Sequence, residues 1–316
     1  MKSVLFVGHF IPEKSYEAIA NYYFCKKLKR DGMSVSLFSD SWCDADDEIF
    51  GSLDELTSNE IFEEKFFLDP FQVKNNEKRL LSMLGLFKKV IMSKDYDLII
   101  ISNFLDYGML SFLAKEYNAQ VALLQLGNDE WRDAFDDYIY EICPTLCSQF
   151  SLILTSPSKE GWISGIPFFR SIDVKVIDQL VDSTCEAGNR ASLVFMQSEK
   201  ERQGVVSNIQ NQLKDFLVKE YVIKKNDFAE NEQTIKKEIS TIREFEEMLS
   251  STDVLIDASE VFESNTDISR IEFWLFLGKQ VLVSNNNITK ISNVLKKKIT
   301  DKWWIVYREE DYTQLY

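Results

Sequence analysis

Apolar runs and amphipathic stretches alternate along the chain from its first residues. Residues 3–7 form a continuous apolar run, the pattern of a strand covered on both faces. Residues 15–30 follow with Ala18, Tyr22, Cys25 and Leu28 at helical spacing, and Asp31-Gly32 supplies a stop. A second strand is predicted over 35–38. The acidic, poorly periodic segment 44–69 reads as a variable surface region. A helix is predicted over 78–92, with Leu80, Leu81, Leu84, Leu86 and Phe87 on its inner side. Strands over 97–101, 120–126, 152–155 and 174–177 alternate with helices over 107–117 and 133–150.

The alternation then restarts. Strands are predicted over 192–196, 221–224, 254–257 and 281–284, with helices over 205–218, 242–250 and 268–277. Gly278 stops the last of these, and segments 288–298 and 303–307 complete the set. Strands separated by helical crossovers make parallel sheets, and two such runs make two α/β doubly wound domains in tandem. The loop 186–189 (EAGN) is the expected junction, giving domains 1–187 and 188–316. Open parallel sheets bind ligands beyond the carboxyl ends of their strands, so a cleft faced by both domains is the expected site.

Charge and length narrow the function classes. In 316 residues, 45% of them hydrophobic, there is material for two cores. The 36 basic and 51 acidic residues give a net charge of −15. Duplex binding needs clustered Lys and Arg, so no nucleic-acid partner is expected. No apolar run approaches the ~20 residues that span a bilayer, and the first residues read as a strand rather than a signal peptide, so the expected location is cytoplasmic. Five scattered cysteines argue against a disulfide framework and read as buried thiols. With one histidine in the chain, Cys143 and Cys147 find no second pair to complete a zinc site.

Several segments resemble the GT-B glycosyltransferases that use nucleotide-sugar donors. Residues 4–12 (VLFVGHFIP) look like that family's first strand and acceptor-side loop, and 31–38 (DGMSVSLF) like its second strand. Residues 97–102 (DLIIIS) and 121–129 (VALLQLGND) resemble the strands bearing its central loops. Residues 152–156 (LILTS) followed by 174–182 (VKVIDQLVD) are similar to its domain crossover. In the second half, 253–259 (DVLIDAS) and 278–284 (GKQVLVS) match its later strand motifs.

The resemblance implies two Rossmann-like domains, an acceptor-side first one and a nucleotide-sugar-side second one. It implies transfer of a sugar from a nucleotide-diphosphate donor to a hydroxyl of a glycan, lipid-linked glycan or protein, without cofactor or metal, in bacterial-type polysaccharide or glycoconjugate synthesis. Two departures stand out. Residues 196–202 (MQSEKER) place Gln197 or Ser198 where the family carries an arginine for the diphosphate, leaving Lys200 or Arg202. Glu263 and Glu272 lie nine apart, wider than the family's E-x7-E spacing. A second class of function therefore stands beside the enzyme: a catalytically degenerate GT-B-like subunit that binds acceptor or stabilises an active glycosyltransferase partner.

Individual residues carry paired readings. His9 follows Gly8 directly after the first strand, where an imidazole can take a proton from an acceptor hydroxyl or hydrogen-bond its own loop. Asn128 and Asp129 follow a later strand; Asp129 is a second candidate base, or a surface charge. Glu272 opens the apolar turn 273–277, where the resemblance implies contact with the donor's ribose or sugar hydroxyls and the alternative is a cap. Ser259 and Glu263 belong to the loop before it, whose Ser264-Asn265-Thr266-Asp267 also spells a helix N-cap. Lys290 and lysines 296–298, with 224–225 and 236–237, are the local basic groups through which the chain would sit peripherally at a membrane or meet a lipid-linked acceptor; a solvated helix face is the alternative.

Overall fold

A computed structural model describes residues 2–10, 16–39, 61–68, 76–102, 107–126, 145, 147–156, 163, 169–177, 180–181, 190–196, 217–223, 236–239, 242–256, 272–284 and 304–307. The chain divides into two compact units, residues 1–180 and 181–316.

In the first unit, β1 (Ser3–Val7) leads through α1 (Tyr16–Arg30) to β2 (Ser34–Ser39) and β3 (Glu64–Phe67). α2 (Asn76–Ser93) then precedes β4 (Leu98–Ser102), and α3 (Leu110–Glu116) precedes β5 (Gln120–Gln125). β6 (Leu152–Thr155) and β7 (Asp173–Val176) close the unit. The seven strands are parallel in the order β3-β2-β1-β4-β5-β6-β7. Leu5, Val7, Phe38, Ile99, Ile101, Val121, Leu123 and Ile153 share one buried face with Met83, Phe87, Val90 and Ile91 of α2. Ala18, Tyr22, Cys25 and Leu28 of α1 are buried as their spacing predicts. Burial also pushes the Cys25 thiol well above its ordinary range.

The second unit repeats the plan. β8 (Arg190–Met196), β9 (Leu217–Ile223), β10 (Lys236–Ile239), α4 (Ile242–Ser250), β11 (Val254–Ile256), β12 (Gln280–Ser284) and β13 (Trp304–Tyr307) follow in turn. The sheet is parallel in the order β10-β9-β8-β11-β12-β13. Phe245 of α4 stacks on Trp274, centroids 6.1 Å apart, within a core that includes Phe273, Phe276 and Leu277.

One helix end in each unit follows the same rule. Gly32 and Gly278 take φ of +82° and +72°. Met33 N–H reaches back to Leu28 O at 3.1 Å and Lys279 N–H to Trp274 O at 3.2 Å, closing the last turn as a left-handed cap does. The Lys279 ammonium then donates to Leu249 O at 2.5 Å and Thr252 O at 2.9 Å, at the C-terminal end of α4. Carbonyls there carry the negative end of the helix dipole. Lys279→Met keeps the aliphatic stem and removes those donors, and should cost about 1–2 kcal/mol in urea unfolding.

Four expectations need correction. Residues 64–67 form the edge strand β3 inside the segment read as a surface region. Lys236 and Lys237, read in one alternative as a solvated helix face, lie in edge strand β10 and not in a helix. Residues 217 and 218, expected to end a helix, begin β9. On α2, Leu80 and Leu81 are exposed, and Met83, Phe87, Val90 and Ile91 supply the inner face instead. The expected helix over 205–216, segment 288–298 with its lysines 296–298, and most of 133–150 lie outside the described residues.

Candidate functional site

A parallel sheet opens a crevice where the strand order reverses, because successive crossovers leave on opposite faces. In the first unit that point lies between β1 and β4, and in the second between β8 and β11. Val7 pairs with Phe38 on one side and Ile101 on the other, so Gly8 and Ser102 end neighbouring strands at one carboxyl edge.

Gly8 donates its N–H to Phe38 O at 3.1 Å. A Cβ built on it would lie 2.7 Å from Ser102 Cβ, so β4 leaves no room for a side chain. The glycine is set by the packing of β1 on β4.

Around this contact lies a buried polar cluster. Asn21, from the interior of α1 and 1% exposed, donates through Nδ2 to His9 O at 2.7 Å and to Ser102 Oγ at 3.0 Å. The Ser102 hydroxyl has acceptors in Glu17 Oε1 at 3.2 Å and Asn21 Oδ1 at 3.3 Å. His9 is half-buried, its ring edge-on to fully buried Tyr107 with centroids 5.3 Å apart. Phe10, the next residue, is buried against Phe62 at 5.1 Å and Tyr22 at 6.0 Å. The edge thus presents one imidazole on a backbone tied to β2, α1 and β4. Such an arrangement can accept a proton from a hydroxyl placed beside the ring.

Gly8 and His9 are therefore brought together here, with Glu17, Asn21 and Ser102 as neighbours that sequence reading missed. A signal for Asn21 exists: it is a polar residue inside the apolar stripe of α1. Glu272 is found in the second unit, 1% exposed, at the start of the helical residues 272–276. Asn128, Asp129, Lys200, Arg202, Ser259 and Glu263 lie outside the described residues. Among the described residues, no helix is long and apolar enough to cross a membrane.

No protein-family model and no curated protein matches the chain. Solved structures match over most of its length. A UDP-N-acetylglucosamine 2-epimerase superposes with a TM-score of 0.57 at 13% identity, covering 99% of this chain and 85% of the other. HepE of Anabaena, solved in complex with UDP-glucose, gives 0.53 at 13% identity over 99% and 87%. Sucrose-phosphate synthase of Thermosynechococcus elongatus gives 0.51 at 12% identity over 99% and 87%. At these identities the likeness shows the fold, an α/β fold of the GT-B type with a Rossmann-like parallel sheet in each unit.

Proposed function

We propose that the chain is a glycosyltransferase that moves a sugar from a nucleotide-diphosphate donor to a hydroxyl of a glycan or glycoconjugate acceptor. The observation that carries this reading is the His9 edge: a single imidazole, backbone-anchored, at the switch point of the first sheet. His9 takes the acceptor proton in this reading, with Asp129 as the other candidate base, while Gly8 and Asn128 line the acceptor side. Lys200 or Arg202, Ser259, Glu263 and Glu272 hold the donor in the second unit. Fixed positive charge near the diphosphate stabilises the departing nucleotide, as electrostatic preorganisation requires, and no metal takes part. Two solved HepE complexes, one with UDP-glucose and one with UDP and glucose, support a nucleotide-sugar ligand for this fold.

The second reading is a GT-B-shaped subunit that has lost donor binding and supports an active partner transferase. Gln197 or Ser198 standing where the family carries its diphosphate arginine favours it, since a bidentate phosphate partner is missing there, as does the wide Glu263–Glu272 spacing.

Calorimetric titration with UDP-, GDP-, TDP- and CMP-sugars separates the two. One donor should bind, and Glu272→Gln should weaken it about tenfold, about 1.4 kcal/mol. Failure of every donor and free nucleotide to bind removes the enzyme reading and leaves the subunit. Unchanged affinity in the Glu272 variant removes that residue from the donor site.

A further inference from the structure

We infer that Asn21 is a positioning residue for His9, a role that rests on reading His9 as the acceptor base. An asparagine inside a helix is a poor helix former, and a buried amide is costly unless its hydrogen bonds are made. Asn21 meets that requirement by reaching out of α1. Its two N–H donors go to His9 O at 2.7 Å and Ser102 Oγ at 3.0 Å. One amide therefore joins three elements: the loop after β1, the helix that follows it, and the end of β4.

The consequence lies in how the backbone that carries the His9 ring is held. The Gly8 N–H is held by Phe38 O, Ser102 leaves no room for a side chain on Gly8, and the peptide linking His9 to Phe10 is held by Asn21. Phe10 is packed among Phe6, Tyr22 and Phe62. The backbone is thus fixed on each side of the imidazole, and the Tyr107 ring lies against it. A general base works when it is held within a fraction of an ångström of its productive position. Asn21 does this without touching the acceptor.

His9 is the sole histidine, so imidazole NMR signals of the untagged full chain report on it alone. Asn21→Asp keeps the shape but turns an oxygen toward His9 O and Ser102 Oγ. Ser102→Ala removes the second anchor and keeps Asn21 on His9. Asn21→Asp should broaden or split the His9 ring signals, and Ser102→Ala should move them less. In a transfer assay Asn21→Asp should lower kcat about 10- to 100-fold with the donor KM unchanged. Ring signals that superimpose on wild type in both variants overturn the inference, even if melting temperatures fall. If Asn21→Asp does not fold, unmoved signals in Ser102→Ala overturn it alone. Moved signals in a chain that transfers no sugar remove the transferase reading and the base role with it, and leave Asn21 only as the anchor that sets the His9 ring.

Discussion

His9→Gln should lower sugar transfer by about 10²- to 10⁴-fold while leaving donor affinity unchanged. Glutamine can still hydrogen-bond an acceptor hydroxyl, but it cannot take up the proton released as the new bond forms. The substitution is a clean one because Asn21 holds the main-chain oxygen of residue 9, a contact that does not depend on the side chain. The loop should therefore keep its path, and the melting temperature should stay near wild type even with the Tyr107 ring contact altered. Product formation measured at saturating donor gives the result directly. A rate within a few-fold of wild type would transfer the base role to Asp129, the other first-unit candidate. A lost rate together with lost donor binding would instead mean that the variant had disturbed more than the acceptor edge.

Both halves of the fold were legible because buried parallel strands are apolar on two faces. Residues 3–7 and 242–250 were placed at the bounds of β1 and α4 from pattern alone. Among the described residues, the two missed strands are both edges, one Glu64–Phe67 and the other Lys236–Ile239, each four residues long and opening on charge. An edge strand has one neighbour and commonly carries charge on its open side, so it shows little of the apolar run that marks a central strand. The exposed Leu80 and Leu81 had a different cause. Leucines crowd the start of α2 all round, so composition pointed inward where the helix phase did not.

The site was legible in the same uneven way. Gly8 and His9 lie directly after an apolar strand, where parallel sheets hold ligands, and position sufficed to find them. Asn21 and Ser102 are 12 and 93 residues from His9, and only the pairing of β1 with β4 brings all three together. Glu17 reads from sequence as an ordinary first-turn acid; its bond to Ser102 needs the fold.

Gly8→Ala should destabilise the first unit by about 1–3 kcal/mol, the cost of overpacking a closed site. The new methyl would meet Ser102 Cβ at 2.7 Å, Ser102 Oγ at 3.1 Å and Ser102 O at 3.3 Å. None of these is the loose end of a long side chain. Ser102 cannot swing aside cheaply, because its hydroxyl is engaged by Asn21 and Glu17 and its backbone is part of β4. Nor can β1 retreat without stretching the Gly8 N–H bond to Phe38 O. Relief should come from the other partner. Ser102→Gly alone loses the polar cluster and weakens a strand, yet in the double variant it removes Cβ and Oγ, the two atoms that the methyl strikes hardest. The double variant should therefore be more stable than the sum of the single costs implies, by about 0.5–3 kcal/mol, the usual coupling for residues in contact. Urea melts of the four proteins give the coupling, and additive costs would show that the β1–β4 contact is looser than its geometry requires.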